Sequence, residues 1–395
     1  MRAIARLFGP PPLVALLSAL TLVLLLALLP VRAARAASAG AASGAVSGAS
    51  GATARARTGT MLVDNGDPAK RITLVLLGDG YTAAELPRYR TQAAAVWTAL
   101  TAVEPFRTYQ HFFDVRRVDL VSARSGLRAG SPLAMHFGCD GMPRLLCADD
   151  TAVDRLAGGS GGPQYPIALA NSSQYGGEGG DGATTLAAGS PDAAKILQHE
   201  MGHTVGGLGD EYDSAPAEAD YPNLADSDAS ALRADHRKWW RWLGAEDPTG
   251  GVVGAYRSAN GLFRPTGDSV MRTLGGVYNL PSREAVIESV YRQVRPIDHT
   301  SPEPGTLDRR PVLRVFPLLL VGPRQLLVSW QVDGRPAPAA ALGPDGDSLD
   351  TSRLIPPPGG CSTVTVTVRD TTPWVRDEDF RDLRMTARAT WTLRG

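Results

Sequence analysis

His199-Glu200-Met201-Gly202-His203 sets two histidines four residues apart with a glutamate beside the first. On a helix that spacing puts both imidazoles on one face, about 6 Å apart, where they can grip a metal ion while the glutamate acts on its water. Imidazole nitrogens suit a borderline-soft divalent ion, so one Zn2+ is the expected cofactor. The chemistry is metal-assisted hydrolysis of an amide, with Glu200 as the base that moves a proton from water to the leaving amine. Such a site needs a third protein ligand. In the extended pattern H-E-x-x-H-x-x-G-x-x-H that ligand is a histidine, but the corresponding position here is Gly209. Gly207 stands one place later than the glycine of that pattern and is followed after three residues by Asp210. A helix longer by one residue, about 1.5 Å of rise, keeps the interval from turn to ligand. Asp210 is therefore the expected third ligand, with Glu211 as the alternative. His136 and His236 could also serve, although distant histidines are more often found on a surface or in a core.

The elements that must position this set can be read around it. Ser190-Pro191-Asp192 looks like a helix start, with a capping hydroxyl, a proline at the first position and an acid near the positive dipole end. The helix is expected to run to Val205 and stop at Gly206-Gly207. Upstream, Arg71 to Leu77 (RITLVLL) is a near-continuous apolar strand, residues 83–101 carry apolar positions at helical spacing, and a second strand follows at Phe112 to Val121. Strand, helix and strand in that order imply a parallel pair. A further strand, Tyr165 to Ala170, precedes a Gly-rich loop and is the expected partner for an extended substrate. After about Pro302 the segments VLRVFP, QLLVSWQVDG, CSTVTVTVRD and RMTARATWTL alternate in the manner of a small antiparallel sandwich, with Trp330 and Trp374 as core residues. No internal repeat is evident.

The chain begins differently. Arg2 and Arg6 precede an apolar run from Leu13 to Leu29, followed by Ala34-Arg35-Ala36, the pattern of a secretory signal over residues 1–36. A run of seventeen residues, apolar except for Ser18 and Thr21, is also the short edge of a membrane anchor, the alternative for this segment. Residues 37–60 are Ala, Ser, Gly and Thr with almost no large apolar side chain, which reads as a flexible linker. Without residues 1–36 the chain carries 36 basic against 40 acidic groups, with no dense basic patch, so nucleic acid is not an expected partner. An exported chain allows a disulfide between Cys139 and Cys147, leaving Cys361 as a buried free thiol.

Taken together, LLGDGYT (76–82), NSSQYGGEGG (171–180), HEMGHTVGGLGDEY (199–212), RKWWRWL (237–243) and FRPTGDSVMRTLGGVYNLPSREAV (263–286) resemble the secreted bacterial IgA-peptidase family of zinc metallopeptidases, placed in the metzincin-like clan. The resemblance covers roughly residues 70–295. It implies zinc on His199 and His203 and sets the family's Asp-Glu-Tyr on Asp210, Glu211 and Tyr212. It also suggests that Met271 lies in a tight turn beneath the ligands, and that Tyr278 donates a hydrogen bond to the oxyanion. The expected architecture is an α/β metzincin-like peptidase domain, a mixed sheet with an active-site helix over residues 61–302, followed by an immunoglobulin-like all-β sandwich over 303–395. The expected function is a secreted zinc endopeptidase acting on polypeptide, without stable membrane association after signal cleavage. The alternatives are a zinc amidase or aminopeptidase on short substrates, and a non-catalytic secreted binding protein with a structural metal site. Glu200 argues against the last, because a structural site needs no base.

Overall fold

Leu74 and Leu76 face one side of a sheet, Val75 and Leu77 face the other, and all four are fully buried. That double burial is why the strand reads as an unbroken apolar run instead of an alternating one. The computed structural model describes residues 59–394, apart from 181, 309, 324 and 356–359. The expected signal segment, and the linker as far as residue 58, lie outside the described residues.

The first six strands are β1 (Thr60–Val63), β2 (Ile72–Asp79), β3 (Phe113–Val118), β4 (Gln164–Ala170), β5 (Gly177–Glu178) and β6 (Thr184–Ala187). They form one mixed sheet in the order β1-β3-β2-β4-β6-β5. The β2–β3, β2–β4 and β4–β6 pairs are parallel, while β1 and β5 pair antiparallel at the two edges. Helices α1 (Leu86–Leu100), α3 (Ala193–Gly206) and α5 (Leu280–Gln293) contribute Ala93, Leu197 and Ile287 to the core on one face. Helix α2 (Asp150–Ala157) packs Val153 on the other. A third cluster gathers Trp239, Trp242 and Leu232 of α4 (Ala229–Ala234). The substrate strand expected at 165–170 is β4, an interior strand paired on both sides by β2 and β6, so its main chain has no edge to offer. The edge beside α3 belongs to β5.

The C-terminal region is β-rich. A three-stranded sheet joins β7 (Ile297–Ser301), β9 (Val312–Pro317) and β12 (Ser348–Asp350). A five-stranded sheet joins β8 (Thr306–Leu307), β10 (Leu327–Val332), β11 (Arg335–Pro336), β13 (Cys361–Arg369) and β14 (Thr386–Arg394), in the order β8-β14-β13-β10-β11. Two expectations need correction. The region is not all-β, because Asp377 caps α6 (Glu378–Arg384) by accepting from Phe380 N at 2.9 Å. Cys361 is exposed rather than buried, since it opens β13 on the outward side of that strand's alternation.

No break in the core marks residue 302. Trp330, Val366 and Trp391 belong to the same apolar cluster as Leu74 and Ile287. Asp370, 1 % exposed, accepts from the hydroxyls of Tyr109 at 2.7 Å and Tyr291 at 2.8 Å, which ties the end of β13 to α5. Among the described residues no helix is long and apolar enough to cross a membrane.

Helix α5 carries Glu284 and Glu288 one turn apart. Burial, followed by the like charge of Glu284, raises the Glu288 carboxyl to about 7 despite its ion pair with Arg292 at 2.9 Å. The folded protein therefore holds that proton more tightly than the unfolded chain does. The associated stability is complete below about pH 4.5 and is lost as pH rises through about 7. Glu288→Gln is expected to gain about 1–3 kcal/mol relative to wild type between pH 5 and pH 8, measured by denaturant unfolding. A constant difference across that range would mean that Glu288 titrates normally.

Candidate metal centre

Helix α3 begins later than its sequence suggests. Ser190 Oγ accepts from Asp192 N at 3.3 Å in a local turn, and the first helical hydrogen bond runs from Ile196 N to Asp192 O at 2.9 Å. The helix ends where expected. Gly207 adopts a left-handed conformation at φ 58°, and Leu208 N reaches back to Gly202 O at 3.1 Å. This turn reverses the chain and carries Asp210 back over the helix face.

Three atoms converge there. His199 Nε2 and His203 Nε2 are 3.2 Å apart, and Asp210 Oδ1 lies 3.0 and 3.3 Å from them. Each imidazole is anchored through its other nitrogen: His199 Nδ1 donates to Val270 O at 2.9 Å and His203 Nδ1 to Leu208 O at 2.6 Å. With the Nδ1 protons assigned by those carbonyls, the two Nε2 atoms present lone pairs to the aspartate. Asp210 Oδ1 is buried and has no hydrogen-bond donor. Three lone-pair atoms that face one another fit a divalent ion, and atoms about 2.0 Å from a tetrahedral zinc stand roughly 3.3 Å apart. His199, His203 and Asp210 are thus the residues that could hold the metal, and a carboxylate oxygen of Glu200 lies within 4.8 Å of both imidazole nitrogens.

Charge follows from this geometry. Burial lowers His199, but the approach of Asp210 at 3.0 Å and the charge of Glu200 outweigh it and raise the group to about 9. Burial raises Asp210, and the two histidines pull it down further, well below the usual carboxylate range. Burial raises Glu200 against the pull of both histidines, as suits a group that must take up a proton. Protons and metal therefore compete for one cluster.

A second layer fixes Asp210. Asn223, fully buried, accepts from Gly209 N at 2.8 Å and donates to Gly209 O at 2.8 Å, clamping the residue before the aspartate. Glu211 turns inward instead of toward the metal. Its carboxylate accepts from Asn223 Nδ2 at 2.9 Å and Ser269 Oγ at 2.7 Å, and burial raises it to about 7 in spite of those bonds. Its amide donates to Met271 O at 2.9 Å. Met271 is fully buried beneath α3, and a Cβ added at Gly202 would lie 2.5 Å from its Sδ. The glycine inside the HExxH segment is therefore required for close approach.

The remaining candidates are elsewhere. Tyr278, expected to reach an oxyanion, is fully buried under the helix, where its hydroxyl donates to Gln198 O. It does not line the cleft, because a ring that packs edge-on against Phe106 at 6.0 Å is part of the core. His136 is exposed on a short hairpin, and His236 is exposed and stacks on Trp240 at 4.1 Å. The sequence analysis set Tyr212 in the family's Asp-Glu-Tyr without giving it a role, and passed over Arg144. Tyr212 donates to Asp210 Oδ2 at 2.6 Å, and burial with that carboxylate pushes its hydroxyl up to about 12. Its place beside the aspartate in DEY was the available signal. Arg144 enters from the loop closed by the Cys139–Cys147 disulfide, and nothing in its local sequence marks it. The cleft has lobes of about 490 and 260 Å3 that share Arg144, Gly177, His199, Glu200 and Tyr212.

Asp210→Ala is expected to lower zinc affinity about 100-fold or more in calorimetric titration, since a ligand atom is lost. Glu211→Ala is expected to leave the ligand atoms in place but cost about 2–4 kcal/mol in denaturant unfolding, because buried donors lose their acceptor. The reverse pattern would exchange the two roles.

In comparisons with known proteins, the family model described as IgA Peptidase M64 matches residues 60–250. No curated protein matches the chain.

Proposed function

Over residues 60–250 the chain belongs to the IgA peptidase M64 family, and from that premise we propose that it is a secreted zinc endopeptidase. The observation that carries the reading is the convergence of His199 Nε2, His203 Nε2 and Asp210 Oδ1 within 3.0–3.3 Å around an aspartate oxygen that has no donor. Zinc bound by these atoms supplies a Lewis acid that polarises a carbonyl and lowers the pKa of a water.

The chain's own residues do the rest. Glu200, buried and raised, takes a proton from the attacking water and delivers it to the departing amine. Tyr212 holds Asp210 Oδ2, so that Oδ1 is directed at the histidines. Val270 O and Leu208 O keep both imidazoles in one tautomer and orientation. An extended substrate pairs with β5, whose one sheet partner is β6 and whose residues Gly177 and Glu178 line the cleft. The two lobes meet at Glu200, which lets a polypeptide continue on both sides of the cut and favours an endopeptidase over an enzyme that trims termini.

Secretion is supported by the leader-like residues 1–36 and by the Cys139–Cys147 disulfide. We read the architecture as metzincin-like, on the strength of Met271 beneath α3, and the C-terminal sheets as an immunoglobulin-like sandwich.

Glu200→Gln is expected to retain zinc, measured by atomic absorption, and to lose about 100-fold or more in casein hydrolysis. Cleavage at the wild-type rate by that variant would remove Glu200 from the role of base.

A further inference from the structure

The two lobes of the cleft differ in charge. The larger carries Glu178, Asp210 and Glu218 on its wall and shares Arg144 with the smaller. The smaller has no carboxylate besides Glu200 and is lined by two arginines, Arg144 and Arg272. Arg272 is already engaged, by Asp213 at 3.0 Å and by Glu211 O at 3.1 Å. Arg144 is not. Among the described residues its guanidinium makes no ion pair; its polar contact is the Tyr212 hydroxyl at 3.5 Å, and it lies over that ring, 6.0 Å from the centroid.

Its backbone is nevertheless fixed. The Cys139–Cys147 disulfide closes the segment, Leu145 N donates to Met142 O at 3.0 Å, and Gly138 N donates to Leu145 O at 3.0 Å. The Arg144 carbonyl leans on Gly176, where an added Cβ would stand 2.4 Å from its oxygen. A planar cation is thus held on the cleft wall with no ion pair of its own, Asp210 standing beyond the Tyr212 hydroxyl, in a lobe whose other walls include Ile196, Leu274 and the hydroxyl-bearing Ser214. Guanidinium pairs with carboxylate through two parallel hydrogen bonds, and the aliphatic walls suit the short stem that would carry one.

We propose that the smaller lobe is a specificity pocket for a glutamate or aspartate side chain flanking the scissile bond, and that Arg144 recognises its carboxylate. The proposal rests on the peptidase reading above. Glu178 and Glu218 disfavour an acid in the larger lobe, so the preferred substrate is a polypeptide with an acidic residue on one side of the cut only. The disulfide acts through the loop: loosening it weakens the selection.

The test is the ratio of kcat/KM for peptides that differ by Glu or Lys at each position around the cleaved bond, using the full zinc-loaded chain. The wild type is expected to favour Glu at a single flanking position by about tenfold or more. Arg144→Gln should bring the ratio near one, Arg144→Glu should invert it, and joint Cys139→Ser and Cys147→Ser should reduce it. Because both substrates meet the same sample, partial unfolding cancels from the ratio. A wild type that cuts peptides with no acidic preference, or an Arg144→Glu variant that keeps one, overturns the pocket assignment alone. A zinc-loaded wild type that cuts no peptide overturns the peptidase reading and this assignment with it.

Discussion

Asn223 grips both polar groups of Gly209 at 2.8 Å, and the position of Asp210 depends on that grip. A helix can align His199 and His203 by its own periodicity, but it cannot deliver a third ligand from the same face. The chain must double back, and a loop that doubles back has to be held. Gly207 permits the reversal, Asn223 fixes its far side, and Glu211 joins it to the turn at Ser269–Met271. Remove the clamp, and the two histidines remain a pair of imidazoles on a buried helix.

That bracing has a cost in polar burial. Glu211 is 1 % exposed, and its carboxyl is raised even though three side chains donate to it. A buried carboxylate with a full set of donors specifies one arrangement and tolerates few others. The same turn supplies Val270 O to His199 and Met271 beneath Gly202, so one segment orients a candidate ligand and packs the helix that bears it. Tyr278 serves this packing from below, which is why a tyrosine so near the centre stays out of the cleft.

The substrate side is assembled from other parts. β5 ends the sheet beside α3, and the disulfide-closed loop leans on Gly176 just before it. The C-terminal sheets stand behind, sharing the apolar cluster that includes α5 and meeting it again at Asp370. The cleft therefore rests on a scaffold that runs through the described chain, and its charge asymmetry comes from residues on separate segments: Glu178 and Glu218 line the larger lobe alone, Arg272 the smaller alone, and Arg144 stands between them.

The sequence by itself determined the helix with its two histidines and glutamate, because a 3.6-residue period converts spacing directly into a shared face. It also determined the buried strand β2, the principal C-terminal strands and the nearness of Cys139 to Cys147, each a matter of local pattern or short separation. Spacing favoured Asp210 as the candidate third ligand, with Glu211 and the distant His136 and His236 behind it. Only the tertiary structure turned Asp210 toward the histidines and Glu211 into the core, because that choice is made by Asn223 and Ser269, which are 12 and 58 residues from Glu211. Strand order was decided in the same way: β4 was the expected partner for an extended substrate, yet it lies between β2 and β6. Exposure at Cys361, burial at Tyr278 and the entry of Arg144 into the cleft likewise depend on which segments fold against one another. A linear pattern records which face of an element a side chain occupies, but not what that face will meet.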